Sequence, residues 1–197
     1  MKSLMQKMTE VLKQHQDAER AAEVLIEQAY YKGFDNGVSH AKLGLVAETD
    51  QQKRDRIVKQ AKEFVDFYKT NKVMLKYEFI VNRKKRTVVV LVRDKHSNRL
   101  FGKGIAKCAP NDCFNRHIGE YIALRRAIGL GVPQKYLDVP NPTDIRVGNV
   151  VKSNTIAFDQ TPYKIVKLET DKAHDVEGCM YISCLDIIDD SESEPDA

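Results

Sequence analysis

Thr87-Val-Val-Val-Leu-Val92 is the stretch that most constrains this chain. Branching at Cβ disfavours a helix and suits a pleated strand, and five consecutive apolar side chains from Val88 to Val92 make both faces of that strand apolar. A strand of this kind belongs in the middle of a sheet. Its neighbours are legible on either side. Residues 74–81 and 99–107 read as strands, and Asn82-Arg83-Lys84-Lys85 and Asp94-Lys95-His96-Ser97-Asn98 read as the polar turns that join them to residues 86–93. Gly102 and Gly104 in the third strand permit a bulge or a close backbone approach.

Helical signals flank this β-rich block. Thr49 and Gln52 have the spacing of a capping box, in which each side chain accepts from the other's unpaired backbone N–H. The helix that starts there carries Ile57, Ala61, Phe64 and Tyr68 on one stripe, flanked by Val58 and Val65, and fades near Asn71. After the third strand, the loop Cys108 to Asn115 offers Asp112 or Asn115 as the cap of a helix reaching Ile128, which Gly129 and Gly131 end. The expected order over residues 49–132 is α-β-β-β-α, with an antiparallel three-stranded sheet.

Outside this block the patterns are simpler. Leu4, Met8, Val11, His15, Ala18, Ala22, Leu25 and Ala29 alternate in steps of four and three, which predicts a helix from about residue 2 to 31. That stripe suits homo-oligomerisation, a helical hairpin or packing elsewhere on the protein. Gly33, Gly37 and Gly44 then mark a connector, so residues 1–48 form a helical N-terminal region. Pro133, Pro140 and Pro142 mark residues 133–142 as a semi-rigid linker. The pieces Arg146–Val151, Tyr163–Glu169 and Met180–Ile188 predict a small β-barrel over 143–188. Residues 189–197 are expected to be a disordered acidic tail. The fold class is therefore α+β.

The longest unbroken apolar run is five residues, against about 20 for a membrane span, so no membrane contact is expected. The first twenty residues lack the apolar core of a secretory signal, and a cytoplasmic location is expected. Charge is informative only by position. The chain totals +4, and residues 186–197 hold six acids and no base, which leaves +10 on residues 1–185. A basic body points to polyanionic partners. The tail is either a solvating end or a local polyanion that folds back over the basic surface and competes with nucleic acid.

The α-β-β-β-α order over residues 49–132 resembles the double-stranded-RNA-binding-domain fold. The segment Gly104 to Gly129, with Cys108-Ala-Pro-Asn-Asp-Cys113 and Glu120-Tyr-Ile-Ala-Leu-Arg-Arg126, is similar to one common in uncharacterised proteins of phages and prophages of Gram-positive bacteria. Ile145-Arg-Val-Gly-Asn-Val-Val151 resembles the opening strand of SH3-like barrels, with Gly148 allowing a tight turn before the strand. The first resemblance implies duplex binding through the loop between the first two strands and the start of the last helix. Arg83, Lys84, Lys85 and Arg86 match the loop. The helix start departs from the family's lysine cluster: Pro110-Asn-Asp-Cys113 stands there, with Arg116 and His117 a turn later and Lys103 and Lys107 on the preceding strand.

Arg83, Lys84, Lys85, Arg86, Lys103, Lys107 and Arg116 are thus the candidate nucleic-acid-binding residues, reading phosphate more than base. Arg83–Arg86 is also readable as a solvated turn. Arg125 and Arg126 point about 100° apart, and one of them is expected to pair with Glu120 or another carboxylate. Cys108, Cys113, Cys179 and Cys184 form two pairs of equal spacing, readable as zinc ligands and more simply as free thiols. Cys113 and His117, four apart at a helix start, are the one pair with the spacing of an activated thiol. His15, His40, His96, His117 and His174 show no metal-ligand spacing, and no catalytic or cofactor motif is present. The expected function is non-enzymatic, without metal or cofactor. It is nucleic-acid binding or, alternatively, inhibition or adaptation of a host protein.

Overall fold

In the computed structural model, residues 48–70, 75–155 and 159–193 are described. The expected N-terminal helix with its oligomerisation stripe, the connector to residue 47 and the last four residues lie outside them. Helix α1 (Asp50–Thr70) begins at the capping box: Thr49 N donates to Gln52 Oε1 at 3.0 Å and Gln52 N to Thr49 Oγ1 at 3.2 Å. Its buried line is Gln51, Arg54, Ile57, Ala61 and Val65, so the predicted apolar stripe extends towards the N-terminus through two polar side chains.

Strands β1 (Leu75–Asn82), β2 (Thr87–Asp94) and β3 (Leu100–Lys107) form an antiparallel sheet with β2 in the centre. Val88, Val90 and Val92 are buried on the face covered by helices, and Val89 and Leu91 are half-buried on the other. Helix α2 (Arg116–Ala127) lies across β2 and β3, and α1 packs against α2. The two strand glycines explain how closely: a Cβ on Gly104 would strike the Ala123 carbonyl and come within 2.6 Å of Ala127 N, and one on Gly102 would strike the Ala127 carbonyl. The bulge also exists, at Val92/Arg93 opposite Gly102 and Leu100.

Residues 133–142 are packed against this core. A short 3-10 turn at Gln134–Tyr136 buries Tyr136, whose ring stacks on Tyr121 with centroids 3.7 Å apart. Beyond it lie β4 (Val150–Ser153), β5 (Tyr163–Lys164), β6 (Lys167–Leu168), β7 (Lys172–His174), β8 (Cys179–Tyr181) and β9 (Leu185–Asp189). They make two three-stranded antiparallel sheets, β5-β4-β9 and β6-β7-β8, over a small core of Val151, Ile165, Ala173 and Leu185. The expected closed barrel is not formed among the described residues: strands of two to five residues pair too briefly to continue from one sheet into the next. Gly148 makes the predicted turn before β4, at φ +91°.

The expected disordered tail, residues 189–197, is corrected for its described part, residues 189–193. Asp189, Asp190 and Ser191 are buried, because the end of β9, while still paired with β4, also bridges the segment before α2: Phe114 N donates to Ile188 O at 2.9 Å, and Asp190 N to Phe114 O at 3.2 Å. Residues 189–193 form a strap across the start of α2. No helix among the described residues is long and apolar enough to cross a membrane.

Candidate nucleic-acid interface

The four basic residues of the β1–β2 turn divide into two structural arginines and two outward lysines. Arg86 has φ +50°, a left-handed backbone costly for a side chain other than glycine's. Its guanidinium compensates by tying the turn to the next loop, donating to Pro110 O at 2.9 Å, to Cys108 Sγ at 3.1 Å and to Asp112 O. Arg83 is held by the strap, with Nη1 2.8 Å from Asp189 Oδ2 and Nη2 2.5 Å from Glu192 Oε1. Lys84 and Lys85 are exposed at the tip.

Lys103 and Lys107 lie on β3 and face away from the helices, opposite Leu91 and Thr87 of β2. Four residues apart on a strand, they are separated by about 13 Å. Lys107 stands next to the basic turn, since its partner Thr87 follows Arg86 directly. The same outer face carries Lys76 and Arg93, paired across β1 and β2, with Glu78 as the carboxylate among them, 3.8 Å from Arg93 Nε. Between these charges runs an apolar row, Ile80, Val89 and Ile105, in direct register.

Arg116 does not join this surface. Its Nη2 is 3.4 Å from Glu120 Oε1 on the next turn of α2, and Glu120 is buried and also held by Lys69 Nζ at 2.9 Å. Arg116 therefore compensates a buried carboxylate, a role its i, i+4 spacing already allows. Of the neighbouring pair, Arg125 is buried and donates to Gly131 O and to the Tyr121 hydroxyl, while Arg126 donates to Ile105 O. Glu120 thus goes to Lys69 and Arg116, not to either of these arginines.

The start of α2 is already occupied from within the chain. Asn115 is the cap, its Oδ1 accepting from His117 N at 2.9 Å and Ile118 N at 3.2 Å. Its Nδ2 donates to Asp190 Oδ1 at 3.0 Å, and Arg116 N donates to Ser191 Oγ at 2.8 Å. The strap's anchor is Arg54, whose Nε and Nη2 reach the two Asp190 carboxylate oxygens at 2.6 and 2.8 Å while Nη1 donates to Pro140 O at 2.7 Å. Burial works against the Arg54 charge, but the hydrogen bonds and charge of Asp190 outweigh it and raise its pKa. Arg54, which holds the strap in place, is the residue of this region that the sequence did not single out. The available signal was a cation in line with Ile57 and Ala61 on the apolar stripe of a helix.

Where Asp190 is the buried end of the strap, Glu192 is its exposed end. Its carboxylate lies between Arg83 and Lys164 Nζ, 2.5 Å from each, and Lys164's hydrogen bond, with the two positive charges, holds Glu192 below the usual carboxylate range. Exposed pairs of this kind contribute roughly 0–1 kcal/mol.

The four cysteines are free thiols, and no group of three or more potential metal ligands is found among the described residues. The spacing of Cys113 and His117 suggested a lowered thiol pKa; the structure reverses the direction. Burial pushes the Cys113 thiol up, and Asp190 adds to this against the opposing charge of Arg54. Burial also lowers His117, whose Nε2 contacts Ser191 O at 3.1 Å. Comparison with family models, with curated proteins and with solved structures finds no match for this chain.

Proposed function

We propose that this chain is a non-enzymatic, phage-type accessory protein of the host cytoplasm that binds nucleic acid mainly through phosphate contacts. The observation that supports this is the gathering of Lys84, Lys85, Lys103 and Lys107 at one end and one face of a sheet whose other face carries the helices. In this reading the α-β-β-β-α region is a relative of the double-stranded-RNA-binding domain that has moved its phosphate contacts from the last helix to β3. The outer face offers aliphatic side chains and point charges and no aromatic platform, so base readout is minor and affinity tracks charge.

The test is duplex binding by the wild-type chain and a variant with all four lysines changed to Gln, across salt concentrations and unrelated sequences. The expected result is a loss of tenfold or more for every sequence, with a log–log salt slope flatter by about 0.9 for each lysine that meets a phosphate. Equal binding by the two proteins rejects the reading.

A second reading, a docking surface for a host protein such as a defence factor, draws on the exposed Ile80 and Ile105, 45% and 44% accessible on the same face. A purified, tagged chain free of nucleic acid and carrying one stoichiometric host protein, released by Ile80→Asn with Ile105→Asn, reverses the order of the two readings.

A further inference from the structure

We propose that Arg83 and Lys164 form a phosphate-binding site that Glu192 of the chain's own strap occupies, so that nucleic acid gains these two cations by displacing Glu192. This inference rests on the phosphate-contact reading above and adds a regulated site to it. Arg83 comes from the β1–β2 turn and Lys164 from β5, yet they meet on opposite oxygens of a single carboxylate, Nη2 on Oε1 and Nζ on Oε2. Two cations converging on two oxygens of one acceptor also suit two oxygens of a phosphate.

The site is continuous with the proposed contact surface, since Arg83 directly precedes Lys84 and Lys85. It is open to a ligand: Arg83, Glu192 and Lys164 are 40%, 45% and 51% accessible. The strap does not need to unfold for Glu192 to leave. Its anchor is upstream, where Asp190 is bound by Arg54 in the interior, and Ser193 Oγ closes the turn by donating to Asp190 O at 2.8 Å. Asp189, 2.8 Å from Arg83 Nη1, keeps the guanidinium aimed at the site after Glu192 swings out. An exposed ion pair holds weakly enough for a polyanion to compete with it.

The experiment measures binding of RNA and DNA duplexes of about 20 base pairs to the wild-type chain, Glu192→Gln, Arg83→Gln with Glu192→Gln, and Lys84→Gln with Lys85→Gln. Glu192→Gln is expected to bind about fivefold more tightly with a salt slope steeper by about 1 to 2, and the gain should vanish when Arg83 is also changed. If Glu192→Gln binds no better than wild type while the lysine variant binds worse, the internal competitor is overturned and the phosphate-contact reading survives. If no duplex binds to any of the proteins, that reading falls and tripolyphosphate judges the site alone. Tighter binding of tripolyphosphate by Glu192→Gln then supports the site, and equal binding overturns it.

Discussion

Arg54 and Asp190 meet in the interior across 136 residues of sequence, with two hydrogen bonds of 2.6 and 2.8 Å between guanidinium and carboxylate. The pair joins the second turn of α1 to the strap beyond β9, and the Pro140 carbonyl completes it. Removing one partner leaves the other charge buried and unpaired, which costs about 3–5 kcal/mol. Arg54→Met and Asp190→Asn are each expected to lower the unfolding free energy measured in urea by that amount, a large share of a domain's stability. The two together should lose less than the sum, because neither charge is then left alone. Strict additivity of the two losses counts against a direct pair.

Gly104 sets how closely α2 approaches β3. A methyl group there has to displace backbone, the Ala123 carbonyl and Ala127 N, and backbone atoms in a packed helix have no room to give. Gly104→Ala is expected to cost at least about 2 kcal/mol in equilibrium unfolding. Gly131→Ala, where a Cβ meets nothing, provides the control. Equal stability of the two variants rejects the close packing.

Much of the central region was legible in the sequence because its causes are local. The capping box needs only Thr49 and Gln52, and the central strand needs only the apolar run from Val88 to Val92. Gly102 and Gly104 announced a close approach. The strap was not legible, because Asp189-Asp-Ser-Glu192 has the composition of a solvated end and its order depends on Arg54, Arg83 and Asn115, all distant in sequence. The barrel was over-read for a related reason: two- and three-residue strands are too short for a period of two to say which sheet each one joins. Among the site residues, lysine positions on an exposed turn and strand face were readable. Arg83 and Arg86 were not, since their partners are set by tertiary contacts, whereas the Arg116–Glu120 pair is a local i, i+4 spacing.

His117 ties stability to pH. Burial lowers its pKa, the charges of Lys62 and Arg116 lower it further, and Glu120 and the contact with Ser191 O oppose them. The unfolded chain takes up a proton near pH 6.5 that the folded chain resists, so stability from this group is complete above about pH 6.5 and falls as the pH drops towards the folded-state value. Urea midpoints at about pH 7.5 and about pH 5.5 should show this loss in the wild type and much less of it in His117→Gln. A wild-type midpoint that does not fall between those values contradicts the lowered pKa of the half-buried imidazole.

Cys113 offers a chemical test of how tightly the strap closes. Its thiol is buried, and burial and Asp190 hold it protonated, whereas Cys179 is exposed. A disulfide reagent at mildly alkaline pH is expected to label Cys179 in the native chain and to reach Cys113 only in denaturant. Peptide mapping distinguishes them. Asp190→Asn should bring Cys113 labelling into the native timescale if the strap is what covers it.

Arg116 and the β3 lysines separate a structural cation from a binding one. Both are exposed to some degree and both were candidates on the same grounds, but Arg116 leans on the buried Glu120 while Lys103 and Lys107 stand on an outer face. Arg116→Gln leaves Glu120 to Lys69 alone and is expected to cost about 1 kcal/mol of stability with no change in the salt slope of duplex binding. Lys103→Gln with Lys107→Gln should do the reverse, leaving the melting temperature in place and flattening the slope by about 1 to 2. If Arg116→Gln also flattens the slope, phosphate reaches the start of α2, and that requires the strap to have moved away from Asn115 and Arg116.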